Sequence, residues 1–231
     1  DGLTGYLFKN KRDYLNVSNG VYVQLNHEES HQIDAESESM ITYKSSNNYH
    51  AEVSSQGLVK ANYVGKADIS LTNENGDEKM VTIDVVPVSN LYPEPNISIG
   101  ETESSVRSKF GLPDVSNDGT YMYENYSFNA PYLMIIFENG VVESYAVLVN
   151  PNQVENLMTF LNERYAPMGF TDDYVFYMNA LSSSEATKTI GVGVLDLGYE
   201  LYIMVGYIPY NKSDIEVFKD KISKIIRMQK K

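Results

Sequence analysis

The residues able to do chemistry are sparse and scattered. There is no cysteine, and the three histidines, His27, His31 and His50, all fall in the first 88 of 231 residues. Disulfide scaffolds, thiolate zinc sites and cysteine nucleophiles are therefore excluded. Beyond residue 88 there is neither thiol nor imidazole, which removes Ser-His and Cys-His pairs and most zinc chemistry from that part. His27 and His31 sit four apart in a strand-like stretch; on a strand they share a face but stand too far apart to chelate one ion, so they read as surface histidines. Carboxylates remain. Asp172-Asp173, Glu138, Glu143 and Asp196 could supply an acid and a base, and a glycan hydrolase needs two such groups at a defined separation. Nothing in their spacing sets that separation, and adjacent acids before a strand read as a solvated turn. Asp68, Glu74, Asp77 and Glu78 do not follow a calcium-loop spacing and read as an acidic edge. The stretch GVGVLDLG (191–198) imitates a phosphate loop, yet Val192, Val194 and Leu195 continue a strand pattern, and no helix follows to present its N-terminus. Ser182, Ser183, Ser184 and Lys188 form no Ser-Lys arrangement. The sequence thus points to a non-catalytic protein, with no residue assigned to catalysis, a cofactor or a metal.

Charge narrows the partners. The chain carries 18 Lys+Arg against 31 Asp+Glu, a net of -13, and both halves are acidic. Affinity for a phosphate backbone rests on Lys and Arg displacing counterions, so nucleic acid is not an expected partner. Anionic membrane surfaces are disfavoured for the same reason. No apolar run reaches the ~18 residues that a membrane-spanning helix needs.

The elements that must position any site fall into two parts. From Val21 to Val86, short alternating runs (Val21/Val23/Leu25, Ile33/Ala35, Ile41/Tyr43, Ile69/Leu71, Val81/Ile83/Val85) are separated by turn residues every 8–12 positions, which predicts a small β-sandwich. Asn75-Gly76 marks a hairpin, since both residues tolerate positive φ. Within this part, Tyr43, Ser45, Ser46 and Asn47, then Ala51, Val53, Gly57, Leu58, Val59 and Ala61, then Gly65, Ala67 and Ile69 resemble the bacterial immunoglobulin-like domain of group 2. The resemblance covers about residues 20–87, with Tyr43 where that family commonly has Trp. It implies an Ig-like spacer or adhesion module at the cell surface. Residues 1–19 are expected to be a tether or an added strand.

Pro87, Pro93 and Pro95 predict a semi-stiff linker over 88–98. A second, α+β domain is expected over 99–231. Thr102 is a good N-cap, Glu103 suits the positive helix end, Val106 and Phe110 share a face, and Gly111 with Pro113 stops the helix. Asn139-Gly140 predicts a hairpin. Pro151 opens a helix whose face is Val154, Leu157, Met158, Leu161 and Tyr165. Ser213 to Glu216 is a capping box for a last helix with the stripe Ile215, Phe218, Ile222, Ile225 and Ile226. Gly140/Gly198 and Pro151/Pro209 recur 58 apart, which suggests tandem αβββ repeats, 99–150 and 151–231, with helices on one face of an antiparallel sheet.

Gly100, Thr102, Val106, Phe110, Gly111, Pro113 and Asp114 resemble a pattern in SmpA/OmlA-type envelope lipoproteins and in β-lactamase-inhibitor-protein repeats. The acidic start DGLTG is similar to the residues just after the lipid-bearing cysteine of Bacteroides-type surface lipoproteins. These resemblances imply export to the cell envelope, a possible N-terminal lipid anchor, and an Ig-like spacer presenting a domain that binds protein or glycan. A hydrolase using a carboxylate pair and an enzyme-inhibitor-like module are the alternatives. The expected contact surface is the bare sheet face, with Tyr121, Tyr123, Tyr126, Tyr174 and Tyr177 as large rigid contacts.

Overall fold

The computed structural model describes residues 13–210, 219, 220 and 223, so the predicted last helix lies largely outside the described residues. The chain divides into two compact units, residues 1–87 and 88–231.

In the first unit, β1 (Asn16–Val17), β2 (Tyr22–Leu25), β3 (Ser30–Gln32), β4 (Ala35–Glu36), β5 (Ile41–Ser45), β6 (Ala51–Val53), β7 (Leu58–Ala61), β8 (Gly65–Asn73) and β9 (Glu78–Val85) follow one another. They form a β2-β9-β8-β5 sheet, a β3-β7-β6 sheet and a β1-β4 ribbon. Alternation along β8 and β9 sends Ala67, Ile69, Leu71, Val81, Ile83 and Val85 inward, to meet Ala51, Val59 and Ala61. That is the period of a strand with one face on a core. Gly57 has φ 80°, and a Cβ there would stand 2.8 Å from the Tyr43 ring, so the turn needs glycine for both conformation and space. Asp13 is tied to the segment after β4. Its carboxylate accepts from Ser37 Oγ at 2.7 Å, from Ser39 N at 2.9 Å, and from Ser39 Oγ and Glu38 N.

The second unit is one antiparallel sheet with helices. Its elements are α1 (Glu103–Phe110), β10 (Val115–Asn117), β11 (Thr120–Glu124), β12 (Tyr132–Glu138), β13 (Val141–Val149), a 3-10 turn (Pro151–Gln153), α2 (Val154–Asn162), β14 (Ala166–Phe170), β15 (Tyr174–Met178), β16 (Lys188–Asp196) and β17 (Leu201–Pro209). The strand order is β10-β11-β12-β13-β17-β16-β15-β14. Each helix is therefore followed by four strands rather than the expected three. The extra strands are β10 and β14, whose sequences VSN and APMGF carry no alternating pattern; β14 also contains Pro and a register shift at Pro167/Gly169. Thr102 caps α1 by accepting from Ser105 N at 3.3 Å, and Gly111 ends it with φ 81°. Asn139 and Gly140 both have positive φ at the β12–β13 turn.

Val106 of α1 and Leu157, Phe160 and Leu161 of α2 lie in one cluster with Leu133, Ile135, Val147, Ile190 and Val205, so both helices cover the same sheet face. The opposite face was expected to be bare. Instead its apolar side chains, among them Met122, Met134, Ala146, Leu148, Leu195 and Met204, are buried, and Lys219 Nζ stands 5.4 Å from the centroid of the Tyr174 ring.

The predicted linker is also revised. Leu91, Tyr92 and Ile97 are buried in the core of the second unit. Buried Glu163 accepts from Val88 N at 2.8 Å and Ser89 N at 3.0 Å, while Arg164 donates to Ser89 O at 3.1 Å. The prolines space a segment whose apolar residues and backbone donors are already committed to this unit, so it does not act as a spacer.

Asp13 sets a pH dependence. Hydrogen bonds, that from Ser39 the largest, hold its carboxyl at about 2 against an ordinary 3.8. The folded value is depressed, so its stabilising contribution is present above the ordinary value and is lost as pH falls toward 2. Thermal denaturation of Asp13→Asn should give a lower Tm than the parent at pH 7, with the gap closing as pH approaches 2; a gap that does not change with pH contradicts this role.

Candidate interaction surface

The five tyrosines expected to form a contact surface do not form one. Tyr121, Tyr123 and Tyr177 are buried on the helix-bearing face, Tyr126 is partly buried against the same cluster, and Tyr174 is buried on the other face. The hydroxyls of Tyr121, Tyr123, Tyr126 and Tyr177 serve internal contacts. Arg107 Nε donates to Tyr121 Oη at 2.6 Å, Tyr121 also donates to Glu103, and Tyr126 donates to Pro93 O. Tyr177 donates to Asn162 Oδ1 at 3.2 Å. Burial raises the phenol pKa of Tyr123, Tyr126 and Tyr177. The physical reason is size: a Tyr ring buries a large apolar area, and here both faces of the sheet offer it a core to fill.

The candidate carboxylates are divided between the two ends of the sheet, Asp196 and the Asp172-Asp173 turn before β15 at one, Glu138 and Glu143 at the other. Tyr145 of β13 lies opposite Tyr207, and Asp196 opposite Leu201, six residues along β17. Asp196 therefore sits about 20 Å along the sheet from the end that carries Glu143 and Glu138, beyond the separation a glycosidase pair uses. The histidines act separately. The Nδ1 atoms of His27 and His50 face the carbonyls of Asn62 and Tyr63, and His31 meets Asn19 Nδ2 at 3.2 Å. Among the described residues, no group of three or more His, Asp or Glu is placed to hold a metal ion, and no helix is long and apolar enough to cross a membrane.

An exposed apolar surface emerges instead on the helix-bearing face, at the end of the sheet where β16 turns into β17. Register places it. Phe170 lies opposite Val175, and Val175 opposite Val192; Val194 lies opposite Ile203, with Leu201 two residues before Ile203 on the same face. Val192 and Ile203 belong to the core, whereas Phe170 is 84% exposed, Val194 51% and Leu201 45%. Cross-strand neighbours on one face stand about 5 Å apart, so these side chains form one patch.

α2 supplies its wall. The sequence places Val154, Leu157, Met158, Leu161 and Tyr165 on the buried stripe. In the structure the helix is rotated so that Phe160 turns down with Leu157 and Leu161, and Val154 and Met158 stay exposed on its flank. That flank faces β15: Met158 Sδ is 3.9 Å from Tyr177 Oη. Phe160 wins the core position because its ring packs 4.4 Å (centroid to centroid) from Tyr92, a residue of the segment read as linker. Sequence reasoning missed the surface for that reason; the exposed Val194 was read only as continuing a strand.

At the same end, Phe128 is 95% exposed at the β11–β12 tip, whose backbone is braced by Asn150 Nδ2 donating to Phe128 O at 3.2 Å. Exposed acids surround the patch: Asp172 and Asp173 precede β15, Asp196 ends β16 on the patch face, and Glu155 follows Val154 on α2. The one cation on β14–β17, Lys188, lies at the far end, opposite Pro209. Its Nζ donates to Tyr145 Oη at 3.1 Å, and burial pushes its amine pKa down.

The family comparison bears on the first unit. Residues 15–83 match the family "Bacterial Ig-like domain (group 2)", and this stretch is such a domain. Comparison with curated proteins finds no match. Among solved structures, the chain is similar to an intimin mutant of EHEC O157:H7, at 16% identity and TM-score 0.29, over 46% of this chain and 62% of that one. It is similar to an intimin–Tir90 complex at 17% identity and TM-score 0.28, over 45% and 61%. It is also similar to the extracellular cadherin domains 3–6 of protocadherin gamma B2, at 11% identity and TM-score 0.29, over 84% and 46%. The chain spans less than two thirds of the length of each of these structures.

The rotation of α2 gives a direct test. Phe160→Ala should destabilise the protein by about 3–5 kcal/mol, the usual cost of emptying a buried aromatic site, whereas Val154→Ser, on the exposed flank of the same helix, should change stability by no more than about 0.5 kcal/mol. Chemical denaturation of both variants reads this, and equal losses would contradict the orientation assigned to the helix.

Proposed function

We propose that this chain is a non-catalytic surface protein in which the Ig-like domain is a spacer and the second unit docks a protein partner. One observation carries the reading: six apolar side chains, Val154, Met158, Phe170, Val175, Val194 and Leu201, are exposed together beside α2. A contiguous apolar surface rimmed by polar groups is what a protein-docking site presents, whereas singly scattered apolar residues would need no explanation. The group 2 Ig-like match supports placement at the cell surface, because such domains serve there as spacers and adhesion modules. Protein is favoured over glycan because five of the six exposed side chains are not aromatic, and the five tyrosines expected to form a contact face are buried or partly buried. The mirrored strand order supports reading the second unit as a tandem repeat of one helix and four strands, joined at β13 and β17.

Selection from a displayed random-peptide library on the immobilised full chain tests the docking reading. Selected peptides should lose about tenfold or more in affinity when Phe170→Asp or Val194→Asp is introduced. Peptides that bind both variants as tightly as the parent would show that recognition lies elsewhere.

A further inference from the structure

We propose that the segment docking on this surface is a short amphipathic helix whose apolar side chains are flanked by Lys or Arg. The inference rests on the docking reading above and adds the partner's chemistry. Its ground is charge complementarity. The patch is bordered by Glu155, Asp172, Asp173 and Asp196, all exposed. Residues 166–209, which contain β14 to β17, hold five acids and one base, Lys188. Lys188 is opposite Pro209, eight residues along β16 from Asp196 and so about 26 Å away. Its ammonium is also occupied, donating to Tyr145 Oη and standing 5.8 Å from the centroids of the Tyr145 and Tyr207 rings. α2 contributes Glu155 and no base. Lys219, over the Tyr174 ring, belongs to the other face.

Size points to a helix. The strip from Phe170 on β14 to Leu201 on β17 crosses three inter-strand spacings, about 14 Å. A helix of about ten residues is that long and presents apolar side chains at i, i+3, i+4 and i+7 to a groove. The exposed apolar strip here runs beside the flank of α2, along the ends of the strands. The rim would meet the cations that border such a stripe, steering encounter and setting orientation. The same charge argues against other occupants. Two copies apposed through this patch would bring two acidic rims together within a pair of chains each carrying a net charge of -13. Anionic lipid would be repelled as well.

Three synthetic peptides of about 14 residues test the proposal, with leucines at the same helical positions and Lys, Gln or Glu at every other position. Each is titrated onto the full chain by fluorescence anisotropy. The Lys peptide should bind saturably and at least about tenfold more tightly than the Gln peptide, the Glu peptide should not bind, and added salt should weaken the Lys complex. Asp172→Asn together with Asp173→Asn should weaken the Lys peptide and leave the Gln peptide unchanged. Val194→Asp adds a carboxylate, so it would strengthen a purely coulombic encounter; here it should weaken the Lys peptide by about tenfold or more, with the thermal transition of the variant unchanged. Equal binding of the Gln and Lys peptides overturns the cationic partner and leaves apolar docking standing. Undiminished binding of the Lys peptide to Val194→Asp overturns the docking reading itself. A dimer of the parent chain in sedimentation equilibrium that Val194→Asp dissolves would make a second copy the occupant and overturn the proposal.

Discussion

The second unit depends on one pairing, that of β13 with β17. It joins two four-strand halves into a single sheet, with Tyr145 opposite Tyr207 and Val149 opposite Ile203. At this seam the Tyr145 and Tyr207 rings stack at 4.6 Å between centroids. Tyr207 shares a hydrogen bond with Tyr92 at 3.0 Å, which ties the chain segment entering the unit to the sheet centre. A stacked aromatic pair directly across an antiparallel ladder adds to the ladder's own hydrogen bonds and excludes water from them. Without the seam, β13 and β17 would each expose an edge, and α2 would lose the surface on which Phe160 rests.

The proposed docking surface follows from the same constraint. One face of the sheet must seat two helices, and α2 is about nine residues long, too short to cover every strand end on its side. The strand ends beyond it keep the apolar character of their cores and are exposed. Because the surface sits on strands and on a helix held by buried contacts, it is presented in a fixed shape, which lowers the ordering cost a partner must meet. On this proposal the acidic rim would select among partners more than it would strengthen any one of them.

How far the sequence revealed this differs between the two units. The Ig-like domain was readable because a two-sheet sandwich writes its core into alternating residues and its turns into Gly57, Gly65 and Asn75-Gly76. In the second unit the helix caps at Thr102 and Gly111 and the Asn139-Gly140 hairpin were equally clear, since each is local chemistry. The edge strands β10 and β14 were hidden because their residues lack alternation. The site residues were misplaced for a different reason. Tyr121, Tyr123, Tyr174 and Tyr177 could serve a core or a surface, and only the packing of both sheet faces decides. The rotation of α2 depended on Tyr92, a residue 68 positions before Phe160 in sequence, and no local periodicity encodes that contact.

Amide hydrogen exchange of the full chain, read residue by residue by NMR, tests the central claim most directly. If β13 and β17 are the paired centre of one sheet, the amides of Ala146 to Val149 and Met204 to Tyr207 should be the slowest of the second unit, by about a hundredfold or more relative to those of edge strand β14. If β13 or β17 exchanges as fast as β14, the two halves are not joined there, and the surface built on their union does not exist in the form described.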